Sequence, residues 1–543
     1  MGVNTSNLNE PISSGDWTVV DRSDLDFHLS RFQQVYYDIN SDCSFKGTRG
    51  ISTRTDSDLT KPLQILNTAQ RNGLNKITNQ CIVTIKEQLG IHCNITCAIC
   101  SEDEFRGYRF KCVICTDFNI CGNCFEDRLE VENHSKSHPV ICINLPNILP
   151  DSIINFLEYG GLSATDSKLS SIVHPDTFCS ACSTQIHGIR IKCDDCVDYD
   201  LCFQCYNSES FTLEHKSDHS VLVHLVPLQY EISLRDVRID EKLGQGKFGG
   251  VYSGMLKDRR VACKLLMYDV KKSENKGSKF DIEMQVNSLR NESRIYRELC
   301  SNHIINYYGF CEKTEDLEDR KRGVYLICLE YMEKGTLEDQ VHRKEGTPRL
   351  ALLRKFKLMH GLLRGLERLH RKGITHKDLK LDNLFIDSFN DIKIGDLGIA
   401  IAPNQPASSI GNIRQKIYYP LSDCQITIAS DMYSFGLILN EVITEKKHRM
   451  FMGRQVQLEH SPYFSAVIKL CTSDRDKERP TAQEVRSYFD SFFAFFKEYL
   501  GERGYRTYSN LSLDKKDELF RLCYIEFIKK HGLFQKKEVI TRL

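Results

Sequence analysis

Sixteen Cys and His residues in this 543-residue chain fall into two arrays of one design. The first runs Cys97-x2-Cys100, Cys112-x2-Cys115, Cys121-x2-Cys124 and then His134-x3-His138. The second runs Cys179-x2-Cys182, Cys193-x2-Cys196, Cys202-x2-Cys205 and then His215-x3-His219. Corresponding residues lie 81 or 82 positions apart, and His92 and His174 match too, each five residues before its first Cys. Such a fixed offset marks an internal duplication. Six thiolates and two imidazoles per array suffice for two tetrahedral zinc sites, four per chain. A disulfide framework and iron–sulfur ligation are the alternatives. The total of 23 Cys is odd and the N-terminus has no apolar signal core, which speaks against disulfides. His-x3-His after Cys-x2-Cys pairs points to zinc.

The arrays resemble the ZZ-type zinc finger, a small cross-braced module. That resemblance implies that alternate pairs share a metal: Cys97, Cys100, Cys121 and Cys124 in one site, Cys112, Cys115, His134 and His138 in the other. In the second finger it pairs Cys179, Cys182, Cys202 and Cys205, then Cys193, Cys196, His215 and His219. Modules this small have little core, so metal supplies much of their folding energy. Chelation is expected to unfold residues 92–227 and leave the rest of the chain folded.

A second feature lies at 376–396, HKDLKLDNLFIDSFNDIKIGD. An Asp stands two residues after a His, a Lys two later, an Asn three after that, and a second Asp thirteen further on. Phosphoryl transfer from ATP needs such a set: a carboxylate for the acceptor proton, a cation for the moving phosphoryl, and an amide and a carboxylate for magnesium. Upstream, residues 244–251 read GQGKFGGV, and VACK ends at Lys264. A lone glycine run fits any tight hairpin. The order of all these motifs together resembles the protein kinase catalytic domain, over residues 235–495.

That resemblance implies a multidomain chain, an α+β bilobal protein-kinase fold with two small cross-braced zinc modules before it. It casts Asp378 as proton acceptor and Lys380 as the cation beside it. Lys264 would hold phosphate and Glu292 would hold Lys264, with Glu298 the second choice. Gly244, Gly246, Gly249 and Val251 would form the loop over ATP, Asn383 and Asp396 the magnesium ligands. Leu329 would be the gatekeeper, the backbone of Glu330 to Met332 the adenine contact, and Asp431 the brace below the catalytic loop.

Departures from the pattern matter. Lys377 replaces the usual Arg, a flexible point charge for a rigid fork, so weak dependence on loop phosphorylation is expected. Leu397 replaces Phe. The segment Tyr419-Pro420-Leu421 lacks a Glu, so Arg479 is expected to lack its carboxylate partner. KKSENKGSK (271–279) reads as a solvated loop insert. Lys380 fits Ser/Thr kinases, whereas Lys416 and the absence of a Thr before Pro420 fit tyrosine kinases; the balance favours Ser/Thr. The competing reading is a non-catalytic pseudokinase adaptor, which has no need of Lys264, Asp378, Asn383 and Asp396 together.

Composition sets the remaining bounds. With 73 basic and 73 acidic residues the formal charge is zero, which argues against nucleic-acid binding. No apolar run reaches the roughly 18 residues of a spanning helix. An intracellular, cytoplasmic protein acting on protein substrates is expected. MGVNTS fits the myristoylation pattern at Gly2, and a single acyl chain would give only weak membrane association. Residues 1–60 read as weakly ordered, 61–91 as a short helical lead-in, 92–146 and 171–227 as the fingers, 147–170 as a linker with a short helix, and 496–543 as a helical tail. Asp194, Asp195, Asp198 and Asp200 gather four carboxylates in the second finger, expected to capture a basic or free amino-terminal peptide; Asn119 stands where Asp200 does in the first.

Overall fold

The computed structural model describes residues 90–543 except 116, 129–130, 132–133, 145–171, 214, 226–229, 247–248, 258, 272–275, 317–319, 344–348, 402–417, 419, 421–426, 452–454, 458–460 and 537–543. The expectations for 1–89, Gly2 included, for the linker helix and for Lys416 lie outside the described residues.

Each finger is a three-stranded sheet with one short helix. The first has β1 (Arg109–Cys112), β2 (Asn119–Cys121), α1 (Gly122–Glu126) and β3 (Val140–Ile143). The second adds an N-terminal hairpin, β4 (Val173–Phe178) with β5 (Gln185–His187). It then repeats the plan as β6 (Arg190–Cys193), β7 (Asp200–Cys202), α2 (Phe203–Asn207) and β8 (Val221–His224). The sequence repeat is therefore also a repeat of structure. The fingers are not independent beads: β3 and β8 pair in parallel at Val140 and Leu222, fusing both into one six-stranded sheet, β2-β1-β3-β8-β6-β7.

The following lobe is a five-stranded antiparallel sheet of β9 (Val237–Gly246), β10 (Gly249–Leu256), β11 (Arg259–Lys271), β12 (Tyr307–Asp316) and β13 (Arg320–Glu330), in the order β12-β13-β11-β10-β9. One long helix, α3 (Lys276–Arg297), packs on it. This corrects the reading of 271–279 as a loop insert. The helix starts at Lys276, and Glu292 lies deep within it. The polar run hid a buried stripe at Ile282, Val286, Leu289, Ser293 and Tyr296, whose spacing is helical.

The second lobe is helical. It contains α4 (Leu337–Val341), α5 (Leu352–Arg371), the small hairpin β14 (Leu384–Ile386) and β15 (Ile392–Ile394), and α6 (Ile428–Thr444). After these come α7 (Ser465–Cys471), α8 (Ala482–Tyr508) and α9 (Leu513–His531). Thr481 and Glu484 start α8 by capping each other's backbone N–H, as their Thr-x-x-Glu spacing dictates. Val485, Phe489, Phe492 and Phe496 are fully buried against α5 and α9, together with Phe520 and Phe527. The apolar stripe thus meets its own lobe, and the tail past 496 is continuous with the lobe's core. α8 breaks only at Gly501, whose φ of 64° suits a residue without a Cβ.

Candidate active site

The cleft between the lobes collects the motif residues. Lys264 on β11 places its ammonium 2.7 Å from the Glu292 carboxylate on α3 and 2.9 Å from Asp396. Burial alone would lower the Lys264 pKa, but the Glu292 and Asp396 charges hold it above its usual value. Burial lifts Glu292, with Lys264 pulling back. For Asp396 burial acts upward too, yet the Lys264 charge outweighs it and the carboxyl stays low. Glu298, the second choice for this partnership, is elsewhere: it pairs with Lys192 at 2.9 Å and faces Lys372 at 3.6 Å.

Glycine has a mechanical task in the loop over this cleft. Gly249 adopts φ 143°, and a Cβ there would sit 2.3 Å from the Leu265 carbonyl. Only glycine lets β10 run this close to β11 next to Lys264. Gly244, Gly246, Gly249 and Val251 lie on paired stretches of β9 and β10, with Val251 opposite Gly244.

The catalytic loop is held by its own backbone. Asp431, buried on α6, accepts from the N–H of His376 at 2.8 Å and of Lys377 at 3.0 Å. His376 Nε2 lies 2.9 Å from the Gly395 carbonyl, tying the loop to the strand that delivers Asp396. Asn383 donates from Nδ2 to the Asp378 carbonyl at 2.7 Å, which leaves its Oδ1 as the acceptor for a cation. Lys377 (φ 67°) and Asp396 (φ 55°) are both left-handed, a conformation that costs a non-glycine residue energy and gathers at functional sites. Burial pushes the Lys377 ammonium down to about 8, against the pull of Asp431. Lys380 is half-exposed, 3.7 Å from Asp382.

At the hinge, Leu329 is buried, the Glu330 N–H donates to the Asn306 carbonyl, and the Met332 carbonyl accepts from Gly335. The Glu330 carboxylate binds Lys393 at 2.7 Å. Arg479 donates to the carbonyls of Ser473 and Ala429 and stacks over Tyr433.

The Cys and His arrays close into four clusters: Cys97/Cys100/Cys121/Cys124, Cys112/Cys115/His134/His138, Cys179/Cys182/Cys202/Cys205 and Cys193/Cys196/His215/His219. Their donor atoms lie within 4.8 Å of one another. The His138 Nδ1 is 3.3 Å from Cys115 Sγ, and the His219 Nδ1 is 3.4 Å from Cys196 Sγ. Metal bonds of about 2.0–2.3 Å predict tetrahedron edges of roughly 3.3–3.8 Å, so the donors fit zinc. Backbone N–H groups of Cys115 and Cys196 point at Cys112 and Cys193 sulfur, at 3.2 and 3.1 Å. Phe118 stacks on His134 and Tyr199 on His215 in the same way. His92 and His174 are not ligands; each Nε2 lies 2.8 Å from a glycine carbonyl, Gly107 or Gly188.

Residues 237–496 match the protein kinase domain family. Residues 91–135 match the ZZ-type zinc finger and 179–224 the ADA2 ZZ-type zinc finger. The chain carries a protein kinase domain preceded by two ZZ-type fingers. Curated relatives align mainly over the kinase domain. A serine/threonine/tyrosine-protein kinase, HT1, of Arabidopsis thaliana is 26% identical over 50% of this chain and 70% of its own length. The serine/threonine-protein kinase STY46 of the same plant is 23% identical over 58% and 53%. The dual specificity protein kinase pyk3 of Dictyostelium discoideum is 28% identical over 43% and 16%. This chain thus spans half or less of the length of several kinases it resembles. Among the described residues no helix is long and apolar enough to cross a membrane.

The peptide site expected on the second finger is surrounded by cations of its own chain. The four carboxylates of the second finger are engaged within the chain. Asp194 holds Arg368 and Arg128, Asp195 holds Arg128, Asp198 holds Arg294 and Asp200 holds Arg190. Asn119 meets Arg109 just as Asp200 meets Arg190, at 2.9 and 2.8 Å. The Asp200/Asn119 difference is therefore a difference between strand partners inside the fingers. Arg368, Arg294 and Asn302, kinase-domain residues that contact the fingers, carry no motif that would single them out.

Proposed function

We propose that this chain is an ATP-dependent protein kinase that transfers the γ-phosphoryl group of ATP to Ser or Thr hydroxyls of protein substrates. The observation that carries the reading is the Lys264 ammonium within 2.9 Å of both Glu292 and Asp396, in the same cleft as Asp378 and Asn383. Lys264, steadied by Glu292, positions phosphate. Asp378 takes the proton of the acceptor hydroxyl, and Lys380 balances charge beside it. Asn383 and Asp396 are the residues to hold magnesium, which when bound neutralises phosphate charge. The Glu330–Met332 backbone receives adenine. The Ser/Thr preference rests on Lys380; of the three relatives one is named a Ser/Thr kinase and two carry tyrosine or dual specificity as well. Peptide ligands of the ZZ fingers must be sought away from the four paired carboxylates. The test is phosphoamino-acid analysis of a generic protein acceptor with ATP and magnesium, beside Asp378→Asn. Phosphoserine and phosphothreonine lost in that variant support the reading; transfer undiminished in Asp378→Asn overturns it.

A further inference from the structure

The ZZ fingers touch both lobes of the kinase domain. Finger 1 presents a slot built from two glycines. A Cβ on Gly107 would lie 2.2 Å from Asn302 Oδ1, and a Cβ on Gly122 would lie 2.7 Å from Asn302 Nδ2. Asn302 follows α3, and its Oδ1 accepts from the Tyr108 N–H at 3.0 Å. In finger 2 the position matching Gly122 is Phe203, so the finger fold accepts a large side chain there. The glycine serves the kinase contact, not the finger.

Finger 2 grips the same helix end. Lys192 pairs with Glu298 at 2.9 Å, both nearly buried, and Glu298 also faces Lys372 just beyond α5. Lys372 in turn donates to the Cys196 carbonyl at 3.2 Å, and Asp194 holds Arg368 on α5 through two bonds. The finger pair therefore bridges the C-terminal end of α3, in the first lobe, to α5, in the second. Glu292 is on α3 six residues before Glu298, less than two helical turns away.

We propose that the two ZZ fingers act as a clamp that positions α3, and so keeps Glu292 on Lys264, rather than only as targeting modules. This rests on the kinase reading above. The gripping residues are positioning residues, since none of them reaches the phosphate cleft. The grip on α3 and α5 runs through charged and polar pairs, Lys192–Glu298, Asp194–Arg368 and Tyr108–Asn302, so the clamp can couple finger state to activity.

The experiment uses the full chain with Gly122→Phe, which copies the sister finger and blocks the Asn302 slot, and separately Lys192→Met. Three readouts are taken: bound zinc, hydrogen exchange over residues 276–297, and steady-state kinetics in ATP and in acceptor peptide. The expected result is zinc content equal to the parent, faster exchange in α3, and a fall in kcat/KM for ATP of about tenfold, within the usual range of coupled sites, with KM for the acceptor unchanged. Adding Glu298→Met to Lys192→Met removes the carboxylate left without Lys192; zinc content stays at the parent level and the ATP kinetics are not restored. Unchanged α3 exchange in a zinc-loaded variant overturns the clamp. If Gly122→Phe fails to fold, the Lys192→Met pair carries the same decision. If the parent transfers no phosphate, the exchange readout still decides the clamp while the kinase reading falls.

Discussion

Replacing Arg368 with Met cuts the buried tie between the kinase domain and finger 2. The Arg368 and Asp194 side chains are each 1% exposed and meet at 2.7 and 2.5 Å. Burial alone would raise the Asp194 carboxyl, but Arg368 first and Arg128 next hold it well below the usual carboxylate range. In Arg368→Met, Asp194 stays buried, with Arg128 at 3.0 Å and the Lys372 charge left to hold it. Breaking a buried pair from one side costs about 3–5 kcal/mol, and the remaining Arg128 argues for the lower end, ~3 kcal/mol. In a domain of this size that corresponds to a fall in midpoint of roughly 6–12 °C. The assay is thermal unfolding of the zinc-loaded chain followed by circular dichroism. Because the folded carboxyl is depressed, its contribution is present at neutral pH and is lost as pH falls through and below the ordinary carboxylate range. Arg368→Met should flatten that acid limb. A second change, Asp194→Asn, should recover much of the loss by removing the stranded charge. A midpoint shift below about 2 °C in Arg368→Met, under 1 kcal/mol on the same scale, would refute the reasoning.

Three further outcomes are expected. Asp396→Ala abolishes transfer and Asp378→Asn keeps nucleotide binding while losing the proton acceptor; radiolabelled phosphate incorporation beside a nucleotide-binding titration checks both, and full activity in Asp396→Ala would defeat the assignment. Metal analysis should find four zinc ions, and chelation should unfold the fingers. The sequence alone suggested that the kinase domain would be indifferent to chelation, but the clamp contacts predict a lower kinase midpoint, measured by calorimetry with and without chelator. The Lys377 ammonium sits near 8 in the fold against an ordinary 10.5. Its buried charge disfavours folding below about pH 8, and that cost disappears as pH rises from 8 towards 10.5. A rate profile should show an inflection near pH 8 that Lys377→Arg, which keeps its proton, removes; an unchanged profile contradicts this.

The chemistry-bearing residues were legible because each motif is short and fixed by local geometry. Two thiolates separated by two residues can turn toward one ion, and GQGKFGGV can fold back only where glycine removes Cβ. His376 to Asp396 form one loop and one hairpin, so their spacing in sequence nearly sets their spacing in space. The choice of Glu292 over Glu298 came from the kinase resemblance, not from the helix itself. The start of α3 was not legible, because its polar, glycine-containing first turns carry weak propensity and are helical through packing of Val286 and Leu289.

What the chain determined by itself is thus the set of local sites: four Cys/His clusters, a glycine-rich turn, and the His376–Asp396 stretch with its Asp and Asn. What only the tertiary structure decided is how these are joined. The parallel pairing of β3 with β8, the Asn302 slot between Gly107 and Gly122, and the burial of Asp194 on Arg368 link residues up to 195 positions apart. No periodicity encodes such contacts, since a carboxylate reads the same in sequence whether it faces water or an arginine. Pairing made the difference: the acidic run of finger 2 looks like an open cation trap until Arg368 and Arg294 of the kinase domain, Arg128 of the first finger and its own Arg190 fill it.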